Sequence, residues 1–479
     1  MRPHINYYPS QSMEIVLLIL CLMFLLGSLD DLFLDIIHAV YGLKPKKISK
    51  EQWKDWNEKE EDPIAVMIPA WQEYDVLESM VKTNLKRIQY ENFHWFIGVY
   101  PNDERTLDIA LRMEALHPDK ITVVVNNLPG PTSKAQCLNR ILTVMSEGIR
   151  NSIVNNETPW IPRFVAIHDA EDVIHPLSLK AINAQDDDLD FIQVPIFSLP
   201  VPTSSWVAGT YLDEFADIHL REVPVREKLK MPIPSAGVGT FFSYRILDVL
   251  NRRFGNWFDE GNLTEDYEIS MKIARLGGKQ SFMLLEDPKG EVVATREYFP
   301  SDFGRSVRQK TRWTTGIALQ TALRWQTYAS PLANKNWKTL MARYGIWRDR
   351  KALWANPLVF LAWTLLGISI LFALIDYNWL ENLQTNNFLL SLMMLNLSMF
   401  AIRLIQRMRF TTKLYGIKHG LMIFPRLIIG SLINGMAALR ALRQFGQAAQ
   451  KNEASKIEWD KTEHFFPTEE ELNQSGSLQ

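Results

Sequence analysis

The sequence predicts an α/β fold with a mainly parallel sheet, joined to transmembrane α-helices. Three observations carry that expectation. Apolar runs of strand length alternate with amphipathic stretches from Ile64 onward. Long apolar runs are confined to the two ends of the chain. Mean hydropathy is only −0.10, so membrane segments are a minority of the 479 residues. That length exceeds one ordinary domain.

The first element is "MEIVLLILCLMFLLGSL", Met13 to Leu29. It approaches the ~20 apolar residues that cross a bilayer. It lacks a basic leader and a small-residue cleavage site, so it reads as a retained helix. Two further spans are expected at Leu353 to Ile375 and Asn387 to Ile405. The run from Gly420 to Phe445 is interrupted by Pro425 and Arg426. An arginine at mid-membrane costs about 3 kcal/mol or more. An interfacial or re-entrant helix is expected there, with a further crossing as the alternative.

Basic residues set the expected orientation. "YGLKPKKISK" follows the first span and "RLIQRMRFTTKLYGIKH" follows the third, whereas "DYNWLENLQTNN" has no Lys or Arg. The basic loops belong inside. The expected organisation is a membrane helix and juxtamembrane segment over 1–42 and a cytoplasmic catalytic domain over 43–350. A C-terminal membrane region over 351–450 and a loosely ordered polar tail over 451–479 follow. Near-equal charges, 52 Lys+Arg against 54 Asp+Glu, give no signal for nucleic acid. Two cysteines in unlike contexts predict no disulfide framework.

Four strands are expected: "IAVMIPA", "HWFIGVY", "ITVVVNN" and "RFVAIHD", with helical stretches between them. Continuous apolar strands separated by helices mean a parallel sheet covered on both faces. In such sheets ligands bind beyond the carboxyl ends of the strands. Each strand here ends in polar residues: Trp71-Gln72-Glu73, Asn102-Asp103, Asn126-Asn127 and His168-Asp169-Ala170-Glu171-Asp172. There is no GxGxxG and no phosphate-binding P-loop motif.

On an extended strand end, Asp169 and Glu171 would share one side. Adjacent carboxylates repel unless a cation bridges them, and oxygen ligands suit Mg2+ or Mn2+. The plainer reading is that the cluster, Asp172 included, caps the next helix. A second acidic group, Asp259 to Glu268, precedes a helix ending at Gly277. Helix-dipole chemistry accounts for Glu268. It accounts less well for Glu265 and Asp266, which start before the apolar periodicity. Two separated carboxylate groups suit a transferase, one holding a metal and the other accepting a proton.

The order PAWQE, Asp103, SKAQCLN, Asp-Ala-Glu-Asp, Thr-Glu-Asp and RQKTRW resembles a membrane-bound family 2 glycosyltransferase of the GT-A fold, from about Ile64 to Gly316. "GSLDDLFLD", "HDAEDVIHP" and "EWDKTEHFFP" are most similar to the bacteriophage-adsorption protein B type of that branch. The resemblance implies that Pro69, Ala70, Glu73, Asp103, Lys134 and Asp169 face the donor, with Asp103 on a uracil ring. It implies Asp169 and Glu171 as ligands of Mg2+ or Mn2+, and Asp266 as general base beside Glu265. Gln309, Arg312 and Trp313 match the QxxRW element at acceptor and diphosphate, and Gly237 and Gly239 an acceptor-side loop. The metal motif reads Asp-Ala-Glu where the family has Asp-x-Asp, which leaves the metal's position open.

The implied partners are a UDP-sugar, a glycan or lipid-linked acceptor, membrane lipid, and self-association or an outer-membrane export partner. The implied location is a bacterial inner membrane, and the implied product an exopolysaccharide. Longer members carry a cyclic-di-GMP-sensing domain, which is not expected here. The alternatives are a single-addition lipid-linked sugar transferase and an inactive receptor or scaffold.

Overall fold

The computed structural model describes residues 11–322, 337–374, 387–450 and 465–474. Strands are numbered in chain order. β1 is Lys46–Lys47, β2 Ile64–Pro69, β3 Phe93–Val99, β4 Ile121–Val125, β5 Phe164–Ile167 and β6 Phe191–Gln193. β7 is Ile196–Ser198, β8 Thr240–Ser243, β9 Gln280–Phe282, β10 Leu285–Glu286 and β11 Thr295–Glu297.

Seven strands form the main sheet in the order β4-β3-β2-β5-β8-β6-β9. Every join is parallel except those that β8 makes with β5 and β6. The expectation of a mainly parallel sheet therefore holds. Alternation along β2 explains the two cores. Ile64, Val66 and Ile68 enter one cluster with Leu77, Met80 and Ile182. Ala65 and Met67 enter the other with Leu138, Ile141 and Ile269. Gly98 in β3 admits the Lys134–Val154 helix, since a Cβ there would lie 2.5 Å from the Cys137 sulfur.

"GVGTFFSYRIL", read as a loop, instead holds β8 and the first turn of the Tyr244–Phe254 helix. Its apolar strand is only four residues long, which is why sequence pattern passes over it.

Among the described residues, four helices are long and apolar enough to cross a membrane: Glu14–Val40, Leu340–Ile368, Asn387–Tyr415 and Ile423–Ala448. Most outrun their apolar sequences because polar turns at the catalytic end continue the helix and bind the α/β domain. There Arg221, 1% exposed, pairs with Asp217 at 2.9 Å, Asp35 at 3.3 Å and Asp31 at 3.7 Å. Arg403 also pairs with Asp217. Burial would raise Asp217, but Arg221 and Arg403 hold it well below the usual carboxylate range. Removing one partner of such a buried pair typically costs about 3–5 kcal/mol.

Arg426 is buried against the Trp206–Asp217 helix, where it reaches Asp213 at 3.5 Å and His419 at 3.1 Å. The tail departs from the loosely ordered expectation where it is described. Leu472, on the Glu469–Gln474 helix, is buried with Val173 and Leu199, and Phe466 packs on the same cluster. Residues 451–464 and nearly all of "DYNWLENLQTNN" lie outside the described residues.

Candidate active site

The carboxyl ends of β2 and β5 open onto one cleft. From the strand side it is lined by Pro69, Ala70, Glu73, Asp169 and Glu171. Lys134 and Gly237 complete that side. Glu265, Asp266, Gln309, Arg312 and Trp313 face them. Motifs as much as 244 residues apart (69 to 313) thus share one cavity.

Asp169 and Glu171 reach the cleft from a turn, because β5 has already ended at Ile167. Strand alternation is therefore not what aligns them. Asp172 holds that turn, its Oδ2 accepting from the Asp169 amide at 3.0 Å and meeting His168 Nδ1 at 2.8 Å. The capping reading fits Asp172 within its own loop; the next helix, Ser178–Asn183, has no side-chain cap.

Lys134 opens its helix beside the Ser133 cap and pairs with Asp169 Oδ1 at 2.5 Å. It also donates to the Gly237 carbonyl at 3.2 Å. Burial alone would lower the lysine's pKa, but Asp169, Glu265 and Asp266 raise it. Gly237 has φ +83°, and a Cβ there would lie 2.7 Å from Asp266 Oδ2. A side chain would thus be strained and would crowd the acid.

Glu265 and Asp266 start the Glu265–Arg275 helix. Burial, with the neighbouring Asp266 charge, pushes Glu265 up to about 7, and burial also raises Asp266. Glu265 is thus tuned toward proton exchange near neutrality, and Asp266 is shifted in the same direction. Glu268, by contrast, pairs with Lys272 at 2.9 Å, in keeping with its structural reading.

Gln309 is fixed by the Tyr211 hydroxyl at 2.9 Å. Tyr211 stacks on Phe299 at 4.8 Å and meets Trp313 edge-on at 6.3 Å. Arg312 lines the cleft and forms no ion pair among the described residues. Gly316, where the helix becomes a π-helix, lets the backbone pass the Thr264 side chain just before Glu265.

Asp103 and Gly239 do not line the cleft. Asp103 caps the Glu104–Leu116 helix and accepts from the Gln72 amide at 2.5 Å. It thereby holds Gln72 at φ +56°, a region that strains most side chains. Gly239 packs against Val194 and Thr295. Sequence reasoning passed over Glu297 and Phe299, which also line the cleft. Burial, then the charges of Asp172, Glu171 and Asp169, raise Glu297 well above the usual range. Its strand, β11, is short, and long-range pairing with β7 together with an antiparallel bridge from Arg296 to Val173 brings it here.

An all-oxygen set of Asp169, Glu171 and Glu297 crowded enough to raise one member's pKa fits a hard divalent cation. A separate group, His175, Asp287 and Glu291, has ligand atoms within 4.8 Å of one another. His175 Nδ1 accepts from the Leu177 amide at 3.2 Å, which leaves the proton of the neutral ring on Nε2. A metal on Nε2 would have to displace it.

A mainly parallel sheet with carboxylates at its carboxyl edge, a second acid pair opposite and a QxxRW helix between defines a GT-A glycosyltransferase. The model "Glycosyltransferase like family 2" matches residues 62–316, and the chain belongs to that family. It is 33% identical over 485 residues to bacteriophage adsorption protein B of Escherichia coli (strain K12). It is equally similar to bacteriophage N4 adsorption protein B of Escherichia coli O157:H7. These alignments cover 95% of this chain and 62% of each relative, so the chain spans under two thirds of their length. Among solved structures, a mannosyltransferase from Pyrobaculum calidifontis with GDP-Man and Mn2+ aligns with 90% of this chain and 99% of its own. Its TM-score is 0.49 and its identity 15%.

Proposed function

We propose that this glycosyltransferase moves a sugar, with inversion, from a UDP-sugar to a growing polysaccharide or lipid-linked acceptor at a bacterial inner membrane. The observation that carries the reading is the placement of Asp266 across one cleft from Lys134 and Asp169. Asp266 accepts the proton of the attacking hydroxyl, with Glu265 tuning its charge. Lys134 and Arg312 bind the diphosphate, Arg312 with paired planar donors. Pro69, Ala70 and Glu73 border the nucleotide. Asp103 acts on it indirectly, by fixing Gln72.

Asp169 and Glu171, with Glu297 beside them, would hold Mg2+ or Mn2+, which when bound supplies charge neutralisation for the leaving UDP. Trp313 offers an aromatic platform to the acceptor sugar. The catalytic domain faces the cytoplasm, and exopolysaccharide is the product. Export then uses self-association or an outer-membrane partner.

The test is a panel of UDP-glucose, UDP-galactose, UDP-N-acetylglucosamine and UDP-N-acetylmannosamine with detergent-solubilised protein and Mg2+ or Mn2+. UDP release and product length are measured. Release dependent on Asp266 is expected. No turnover of any UDP-sugar, with turnover of a GDP-sugar, would discard the UDP assignment. A single added sugar would replace the polymerase reading with single addition.

A further inference from the structure

We infer that Asp349 is a positioning residue, which sets the place of Asp266 through the Tyr267 hydroxyl and does so from a membrane-region helix. The inference rests on the reading of Asp266 as general base.

The first turn of the Glu265–Arg275 helix needs an anchor. Its N-cap, Thr264, makes no side-chain capping bond. Glu265 is buried and Asp266 half-buried in the cleft wall, so the backbone of this turn sets where both acids sit. Tyr267 comes next in the chain, 4% exposed, and its hydroxyl donates to Asp349 Oδ2 at 2.5 Å. Burial and the Asp349 charge raise Tyr267 well above its ordinary pKa, so the phenol keeps its proton and remains the donor. A phenol on a carboxylate is a charge-assisted bond, roughly twice as strong as a neutral one.

Asp349 is itself fixed. It lies on the Trp337–Leu374 helix, four residues before the apolar run from Leu353. Arg226 donates to its Oδ2 at 3.2 Å and pairs with Oδ1. Arg226 also binds Glu222 at 2.9 Å, and Glu222 accepts from Arg348 at 3.1 Å. Arg348 then pairs with Asp30 of the first membrane helix. One unbroken line of hydrogen bonds and ion pairs runs from the helix of the base to the membrane helices. How those helices sit on the domain therefore bears on where Asp266 points.

The simpler reading is that the bridge merely holds domain and helices together. Kinetics separates the two. In the full chain, in detergent with the donor panel above, Tyr267→Phe removes only the hydroxyl, and Asp349→Asn removes the charge. Displacing a reacting group by about 1 Å costs up to ~10²-fold, so each variant should lose on the order of ten- to a hundredfold in kcat. Donor KM and UDP affinity should stay within about twofold, because binding groups are untouched. The double variant should be no worse than the weaker single, since one tether breaks in each.

Parental kcat in a folded Tyr267→Phe protein overturns the inference. So do additive losses, or a fall in kcat that tracks a fall in Tm and a rise in KM. Asp266→Asn belongs in the same series. If it is inactive while Tyr267→Phe is parental, the tether alone fails. If Asp266→Asn keeps parental kcat, the base reading fails and the tether with it.

Discussion

Lys134 and Asp169 form a 2.5 Å ion pair on one wall of the cleft, and the same ammonium donates to the Gly237 carbonyl at 3.2 Å. The cation expected at the donor thus neutralises the carboxylate expected at the metal. Their substitutions should act in opposite senses. Lys134→Gln should bind Mn2+ at least as tightly as the parent, by calorimetry. It should also raise donor KM by about tenfold or more, as loss of a charged hydrogen bond costs about 1.5–3 kcal/mol. Weaker Mn2+ binding in Lys134→Gln would show that the lysine helps build the metal site rather than competing with it.

Asp169→Ala should abolish turnover, and EDTA should do so reversibly in the parent. Both losses follow from leaving the diphosphate charge without its clamp. Persistent activity in excess EDTA would remove the metal from the proposal.

Asp266→Asn keeps shape but accepts no proton, and losing a general base costs ~10²–10⁴ in rate. UDP affinity should barely move. A large loss of UDP binding would make Asp266 a donor-binding residue instead.

The acid pair predicts a pH profile. A base with a raised pKa becomes available only as pH rises through that value. With Glu265 pushed up to about 7 and Asp266 also raised, kcat/KM should climb through neutrality. Glu265→Gln removes the neighbouring charge, so the rising limb should move to lower pH. The limb reports the pair as a unit. A flat profile across neutrality in the parent would contradict the assignment.

Trp313→Ala should keep UDP release by donor hydrolysis and lose elongated product, whereas Arg312→Lys should impair both. Trp313 also packs edge-on against Tyr211 and Phe215. Product of parental length and rate from Trp313→Ala would reduce it to a packing residue.

Much of this was legible in the sequence, and the reasons differ by element. β2, β3 and β5 announce themselves because strands buried on both faces are continuously apolar, whereas β4, a half-buried edge strand, shows by its β-branched run. Lys134, Asp169, Asp266 and Arg312 were legible as motifs in order, although nothing local said that they share a cavity. The misses are long-range. Glu297 depends on β11 lying beside β7, some hundred residues earlier in sequence. Asp103 was read as a ligand contact, since a cap and a ligand-facing acid look alike before the neighbouring Gln72 backbone is seen. The Asp349 bridge joins a catalytic helix to a membrane helix 82 residues on, and a lone aspartate gives no hint of it.

The burial of Leu472 against Val173 has a topological consequence. Asp349 touches the catalytic domain through Tyr267 and Arg226, and the chain touches that domain again at residues 466–472. A path that departs from one side of a bilayer and returns to the same side crosses an even number of times. Among the described residues of that interval three helices are long and apolar enough to cross, so on such a path at least one of them would not cross. The helix that carries Arg426 packs that residue against Asp213, so it is the one expected not to cross, and a reporter fused after Gln479 should then read on the same side as the catalytic domain.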